Sequence, residues 1–312
     1  MSKILLMDIG NTRIKWGVLE NRALSGIESL SVTHSRDFDL NSLFLSVSSD
    51  VKSIVASCVL SKETQVKLAE SFSDHFKLAI EFIEPKSRFS GLTNGYNNPS
   101  KLGADRWAAM IGAHIEFGGN ILVVDMGTAI TIDYIDSEGM HKGGQILPGL
   151  KSFFNCLDQS TAGINSKINI SEITTENVKK WGKNTDDAII AGVMAAISGA
   201  LNDAVLACET EDSAPSVILT GGDAIYFKDA FDYSSHYRPN IVLDGLAIIF
   251  LFLLTCTPAD EPLFLDDRVS VLSFMLSLSV IFLIKPAFSS MHNYFTSSLI
   301  RNINNIQQFV NR

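Results

Sequence analysis

Two aspartates stand in the same setting 117 residues apart. Asp8 follows the apolar run Ile4-Leu5-Leu6-Met7 and precedes Ile9-Gly10-Asn11-Thr12; Asp125 follows Ile121-Leu122-Val123-Val124 and precedes Met126-Gly127-Thr128-Ala129. An acid at a strand end, then a glycine and a hydroxyl or amide side chain, has definite chemistry. Glycine permits a close approach and positive φ. Backbone N–H groups of such a turn, with side chains such as Asn11 and Thr12, form a concavity for an anion. A carboxylate at the strand end can hold a cation or its waters. Either copy alone reads equally well as a tight turn with a local side-chain bond. Two copies at corresponding strand ends favour acids on opposite sides of a bound polyphosphate. A third segment, Val217-Ile218-Leu219-Thr220-Gly221-Gly222-Asp223-Ala224, reads as a strand, a Gly-Gly bend and a helix start. Backbone without side chains there can lie against an adenine or ribose, and a helix N-terminus favours phosphate.

Strands and helices must carry these residues. Apolar runs predict strands at Ile4–Met7, Ile14–Leu19, Ser53–Ser57, Ile121–Val124 and Ile130–Ile135. Helices are expected over Lys62–Phe76 and from about Ser100 to Ile115, the latter with Leu102, Trp107, Met110 and Ile111 as apolar positions. The repeated hairpin implies two related α/β subdomains with a cleft between them. Their boundaries are expected at 1–117 and 118–256, with a separate tail at 257–312.

Composition narrows the function classes. The chain has 312 residues and a formal net charge of −9, without a Lys/Arg-rich block, which disfavours nucleic acid as a partner. No P-loop, GxGxxG, HExxH or GxSxG pattern is present, and the six histidines form no close pair. Cys58, Cys156, Cys208 and Cys256 form no CxxC and read as buried free thiols in a reducing compartment. Met-Ser-Lys runs straight into a short apolar strand, which is no signal peptide, so a cytoplasmic location is expected. In the tail, Val269–Ile284 is a 16-residue uncharged run. It falls short of the ~20 residues of a spanning helix. A C-terminal helix buried against the fold is favoured over membrane association. After Pro286 the sequence turns Ser- and Asn-rich and reads as weakly structured.

The three segments resemble the phosphate-1, phosphate-2 and adenosine elements of the actin/hexokinase/Hsp70 superfamily of ATP-binding proteins. Within it, the chain is similar to the type III pantothenate kinases. The resembling stretches are Asp8-Ile-Gly-Asn-Thr-Arg-Ile-Lys-Trp-Gly17, Tyr96-Asn-Asn-Pro99, Gly103-Ala-Asp-Arg106, Asp125-Met-Gly-Thr-Ala129, Gly143-Gly-Gln-Ile-Leu-Pro-Gly149, Asn184-Thr185 and Thr220-Gly-Gly222. They run in family order over roughly residues 3 to 254, and the tail departs from the family pattern.

The resemblance implies an α/β fold of two duplicated ribonuclease H-like (actin-like ATPase) subdomains, with the ATP cleft between them and an atypical apolar tail. It implies phosphorylation of pantothenate by ATP at the terminal hydroxyl, the first step toward coenzyme A. Mg2+ on ATP, a monovalent cation (K+ or NH4+) and a homodimer come with it. Asp105 is then the catalytic base. Asp8, Ile9, Gly10, Asn11, Thr12, Arg13, Ile14, Lys15, Thr128, Gly221 and Gly222 are the ATP residues. Tyr96, Gly103, Ala104, Asp105, Arg106 and Thr185 face pantothenate, with Thr185 supplied by the neighbouring subunit. Asp125 is the monovalent-cation ligand, and Asp8 holds the divalent ion through water.

Read without the family, several of these residues have plainer uses. Asp105 is a capping acid in a first helical turn, where the dipole favours its ionised form. Arg106, ~100° further round the helix, can grip a carboxylate. Gly103 and Ala104 leave room for substrate beside the backbone. Lys15 is either a charge near phosphate or a surface strand lysine, and Thr185 is a helix N-cap. Two other functions remain. One is a kinase of another small hydroxylated substrate. The other is a non-catalytic relative acting as an accessory transcriptional regulator, against which the presence of Asp105, Asp125 and Thr185 counts.

Overall fold

The computed structural model describes residues 3–31, 40–160, 168, 170, 173, 180–208, 214–227 and 235–255. The first half runs β1 (Lys3–Ile9), β2 (Arg13–Glu20), β3 (Ala23–Ser31), α1 (Asn41–Ser46), β4 (Val51–Cys58), α2 (Lys62–Phe76) and β5 (Ile80–Phe82). A short hairpin, β6 (Arg88–Phe89) and β7 (Leu92–Thr93), leads through a 3₁₀ turn at Pro99–Lys101 to α3 (Ala104–Phe117). The second half runs β8 (Ile121–Met126), β9 (Ala129–Ile135), β10 (His141–Pro148), α4 (Leu150–Ser160), α5 (Thr185–Cys208) and β11 (Ser216–Thr220). A 3₁₀ turn at Ala224–Tyr226, β12 (Ser235–Tyr237) and α6 (Ile241–Thr255) complete it.

One sheet is ordered β3-β2-β1-β4-β5 and the other β10-β9-β8-β11-β12. In each, three strands meander antiparallel and two more join in parallel. This is the ribonuclease H-like order, present twice, which is the duplication of actin-like ATPases.

Strand side chains alternate between faces, and here both faces of each sheet are covered. Ile4, Leu6, Val55, Ile121, Val123 and Ile218 face a central layer with α3 and α6. Leu5, Met7, Ile54 and Ala56 face α1 and α2, while Leu122, Val124, Val217 and Leu219 face α4 and α5. The order is therefore helices, sheet, central helices, sheet, helices. Two covered faces explain why the central strands read as continuous apolar runs rather than alternating ones. They also explain α3, which is buried all round, including Arg106 to Ala113.

Several expectations change in detail. The helix expected from Ser100 starts at Ala104, because Leu102 and Gly103 are extended and the Asn98 side chain caps the preceding 3₁₀ turn at Ser100 N–H. β3, β5, β10 and β12 lay outside the sequence reading. β3 is almost wholly exposed, so it carries no apolar alternation. Of the described cysteines only Cys208 is buried; Cys58 is half-buried and Cys156 exposed. α5 is long and apolar enough to cross a membrane by length and composition. Its Ile189, Val193, Ile197, Leu201 and Val205 are instead buried in the outer layer of the second sheet. Residues Met1–Leu253 cluster as one unit. The expectations for 257–312, including the Val269–Ile284 run, and for Cys256 lie outside the described residues.

Candidate active site

Side-chain alternation places the paired acids. Asp8 shares a strand face with Ile4 and Leu6, and Asp125 shares one with Ile121 and Val123, so both carboxylates face the central layer. Across the ladders Asp8 is flanked by Lys15 and Ser57, and Asp125 by Thr131 and Thr220. Ser57, fully buried, donates its hydroxyl to Asp8 Oδ1 at 2.8 Å. Beyond the acids each hairpin turns. Gly10 N–H donates to the Arg13 carbonyl at 2.9 Å, and Gly127 N–H to the Ala129 carbonyl at 3.0 Å. The two tips meet, with the hydroxyls of Thr12 and Thr128 2.7 Å apart.

The Gly-Gly bend closes on the same place. Gly221 has φ +89°, and a methyl there would lie 2.4 Å from the Met126 carbonyl oxygen and 2.5 Å from Asp125 Oδ1. Only glycine fits this passage. A methyl on Gly222 would come within 2.9 Å of Arg13 Nη1, so the first hairpin reaches the bend. The helix expected after the bend is a single 3₁₀ turn. The anion-favouring groups here are therefore turn amides rather than a helix dipole.

At the N-terminus of α3, Asp105 Oδ1 accepts the Arg106 backbone N–H at 2.7 Å. The same oxygen folds back over Gly103, 2.6 Å from where a methyl would stand. The space expected there for substrate is thus used by Asp105, and Ala104 is buried in the core. The dipole argument is also outweighed. Burial pushes the Asp105 carboxyl above its ordinary value, against the pull of the Arg106 N–H and guanidinium. Burial, then the Asp105 charge, raises Asp8 to about 6, with Ser57 and Lys15 opposing. Asp125 is raised to about 7 by burial, then by Asp105 and Asp8, with Lys15 opposing. Three half-buried carboxylates thus share one electrostatic neighbourhood, though among the described residues no three acids, histidines or cysteines converge closely enough to ligate one ion by themselves. Lys15 is half-buried rather than on the surface. Its pKa is lowered, chiefly by burial, and its ammonium donates to the Pro239 carbonyl.

A carboxylate with a raised folded pKa has its proton-linked stability in full below the unfolded value, and loses it as pH rises through the folded one. For Asp125 that window runs from the ordinary aspartate value of 3.8 to about 7. In buffers free of divalent and alkali cations, the melting temperature of the wild type should fall from pH 5 to pH 8. Asp125→Asn should flatten that slope, with its advantage largest at pH 8. Parallel slopes in a thermal melt series would show that Asp125 does not carry the repulsion.

A second polar group adjoins Asp105. The Arg106 guanidinium makes a bidentate pair with Asp133, Nε to Oδ2 at 2.8 Å and Nη2 to Oδ1 at 2.6 Å. Nη1 donates to the Tyr96 hydroxyl at 2.7 Å, and His141 Nε2 lies 2.9 Å from Asp133 Oδ1. The sequence reading offered Arg106 as a free grip, but these bonds use three of its five donors. Ser57, Asp133 and His141 were not anticipated at all. In the outer layer, Thr185 opens α5 and lines a groove of about 900 Å³ with Phe153, Leu157, Ile189 and Val193. It is not the N-cap. The Asn184 side chain accepts the Asp187 N–H at 2.8 Å, and Thr185 is already helical.

The profile of the type III pantothenate kinase family matches residues 4–207. Type III pantothenate kinase of Azoarcus sp. (strain BH72) is 35% identical over 249 residues, 79% of this chain and 90% of that one. That of Laribacter hongkongensis (strain HLHK9) is 32% identical over 246 residues, 78% of this chain and 97% of that one. The chain belongs to the type III pantothenate kinase family. Among solved structures, a Campylobacter jejuni protein described as a candidate Baf family transcriptional activator has a TM-score of 0.54 at 23% identity, over 81% of this chain and 100% of that one. A Sinorhizobium meliloti protein described as a candidate 2-dehydro-3-deoxygalactonokinase has a TM-score of 0.52 at 11% identity, over 85% and 100%. At these identities the likeness is one of fold.

The residues that the resemblance assigned to ATP run along the two hairpins and the Gly-Gly bend. Those assigned to the acceptor gather at the start of α3 and in the loop before it. Thr185 stands apart from both, on the outer side of the second sheet.

Proposed function

We propose that this chain transfers the γ-phosphoryl group of ATP to the terminal hydroxyl of pantothenate, giving 4'-phosphopantothenate and ADP, with Asp105 as the base. The observation that carries the assignment is the position of Asp105. Its charge acts on both hairpin acids and its carboxylate holds the Arg106 backbone, while the Arg106 guanidinium bonds the Tyr96 hydroxyl, so it stands where phosphate side and acceptor side meet. Phosphoryl transfer has a loose transition state, so the protein's work is positioning and charge stabilisation. The Gly10 and Gly127 N–H groups close their own turns, so the backbone amides and hydroxyls of Asn11, Thr12 and Thr128 receive the phosphates, and Gly221 and Gly222 lie against the nucleoside. As the new O–P bond forms, the hydroxyl proton passes to the Asp105 carboxylate and ADP departs. A pKa raised by burial moves Asp105 toward the range where a base is effective near neutral pH.

Single strand-end carboxylates, completed by phosphate oxygens and water, suit hard cations. Asp8 would hold Mg2+ on the polyphosphate through water, and Asp125 would ligate K+ or NH4+. A bound divalent ion supplies charge neutralisation on the phosphates. The outer-layer position of Thr185 supports a homodimer in which each copy lends this residue to its partner's acceptor site. The apolar groove between α4 and α5 suits such an interface. We place the enzyme in the cytoplasm, with no nucleic-acid partner, in keeping with its net charge of −9. Subdomain boundaries of 1–117 and 118–256 put α3 with the first sheet. Incubation with ATP and a panel of acceptors (pantothenate, sugars, hydroxy acids) tests the substrate. Phosphorylation of pantothenate is expected; phosphorylation of another acceptor with none of pantothenate would overturn the assignment.

A further inference from the structure

Asp133 is 1% exposed and His141 1%. A buried charge is tolerated when it is paired and hydrogen-bonded. Asp133 meets that condition through three bonds, two from Arg106 and one from His141. An ionised carboxylate only accepts, so His141 Nε2 donates to Asp133 Oδ1. Nδ1 is buried with no partner among the described residues. The His141 ring stacks on Tyr96, with centroids 5.8 Å apart and planes 16° from parallel. Arg106 lies over the same Tyr96 ring at 5.5 Å and donates to its hydroxyl. Tyr96 is therefore fixed from two sides, by a guanidinium and an imidazole that share one carboxylate.

The backbone encloses this assembly. A methyl on Gly144 would lie 2.5 Å from both Arg106 Nη2 and Asp133 Oδ1, so β10 passes directly over the ion pair. The pair cannot swing aside in that direction. It is a fixed wall.

We propose that Asp133 and His141 are positioning residues of the acceptor site: Asp133 locks the Arg106 guanidinium, His141 braces Asp133 and backs Tyr96, and together they set how tightly a carboxylate-bearing acceptor is held. The inference rests on the reading that Tyr96 and Arg106 line the pantothenate pocket. Arg106 has two N–H donors left after Asp133 and Tyr96, and a planar guanidinium presents them in a fixed direction only while Asp133 holds it. Asp133 lies on β9, well past the Gly127–Ala129 turn, and His141 opens β10, so neither sits at the turn amides that receive ATP, and their loss should weaken acceptor binding more than nucleotide binding.

The test uses the full chain. In Asp133→Asn, the dissociation constant for pantothenate by calorimetry and its KM should rise by roughly tenfold or more. KM for ATP should stay within about twofold and kcat should fall less than KM rises. Unchanged pantothenate affinity, or an equal loss of nucleotide affinity, overturns the proposal. Should Asp133→Asn fail to fold, His141 decides the matter. His141→Gln keeps a donor toward Asp133 and loses only the ring behind Tyr96, so it should retain more pantothenate affinity than His141→Leu, which loses both and should weaken severalfold. Equal affinities in the two variants overturn the proposal. A wild type that binds nucleotide but neither binds nor phosphorylates pantothenate would sink the acceptor reading itself. One that does both while these variants behave as wild type would sink only the role of Asp133 and His141.

Discussion

Replacing Asp105 with Asn should lower turnover by roughly 10²–10⁴, the usual contribution of a general base, and leave ATP affinity nearly unchanged. Asn keeps the size of the side chain and can still accept the Arg106 backbone N–H, so the start of α3 should survive. What it loses is the proton acceptor. It also removes a negative charge that raises both Asp8 and Asp125, so both should titrate lower in the variant. The acid limb of the wild-type pH–rate profile should reflect a carboxyl held above its ordinary value and should disappear with the substitution. Near wild-type turnover in Asp105→Asn would remove Asp105 from the role of base.

Asp125→Ala should abolish potassium stimulation altogether. A hard monovalent cation needs carboxylate oxygen, and burial, then the charges of Asp105 and Asp8, raises Asp125 to about 7. A cation beside it would offset the repulsion from Asp105 and Asp8. Turnover of wild type and variant should be compared across a potassium series at constant ionic strength. If the variant stays potassium-dependent with the same half-saturation, the cation is held elsewhere.

The paired acids were legible because the signal is local and repeated: apolar strand, Asp, Gly, polar turn. Helix Lys62–Phe76 was legible for a similar reason, since Ser61 caps it by accepting the Thr64 N–H. Asp133 was hidden by a correct observation with the wrong consequence. Ile130, Thr131, Ile132 and Asp133 alternate as a strand with one wet face should. In the fold, Ile130 and Ile132 face α4 and α5, while Asp133 faces the equally buried central layer. Which face is wet depends on α3 and α6, far away in sequence. His141 and Ser57 escaped for the same reason, since each gains meaning only from a ladder or side-chain partner, Asp133 and Asp8. Conversely, pantothenate itself rests on the family resemblance, because strand-end acids and turn amides specify phosphate chemistry without naming an acceptor.

The most direct measurement is the product formed from ATP, Mg2+ and pantothenate, with and without potassium, followed by mass spectrometry alongside ADP release. The account predicts 4'-phosphopantothenate and ADP in equal amounts, more of both with potassium, and almost none with Asp105→Asn. ADP released without phosphopantothenate, or no turnover at all with pantothenate present, would contradict it.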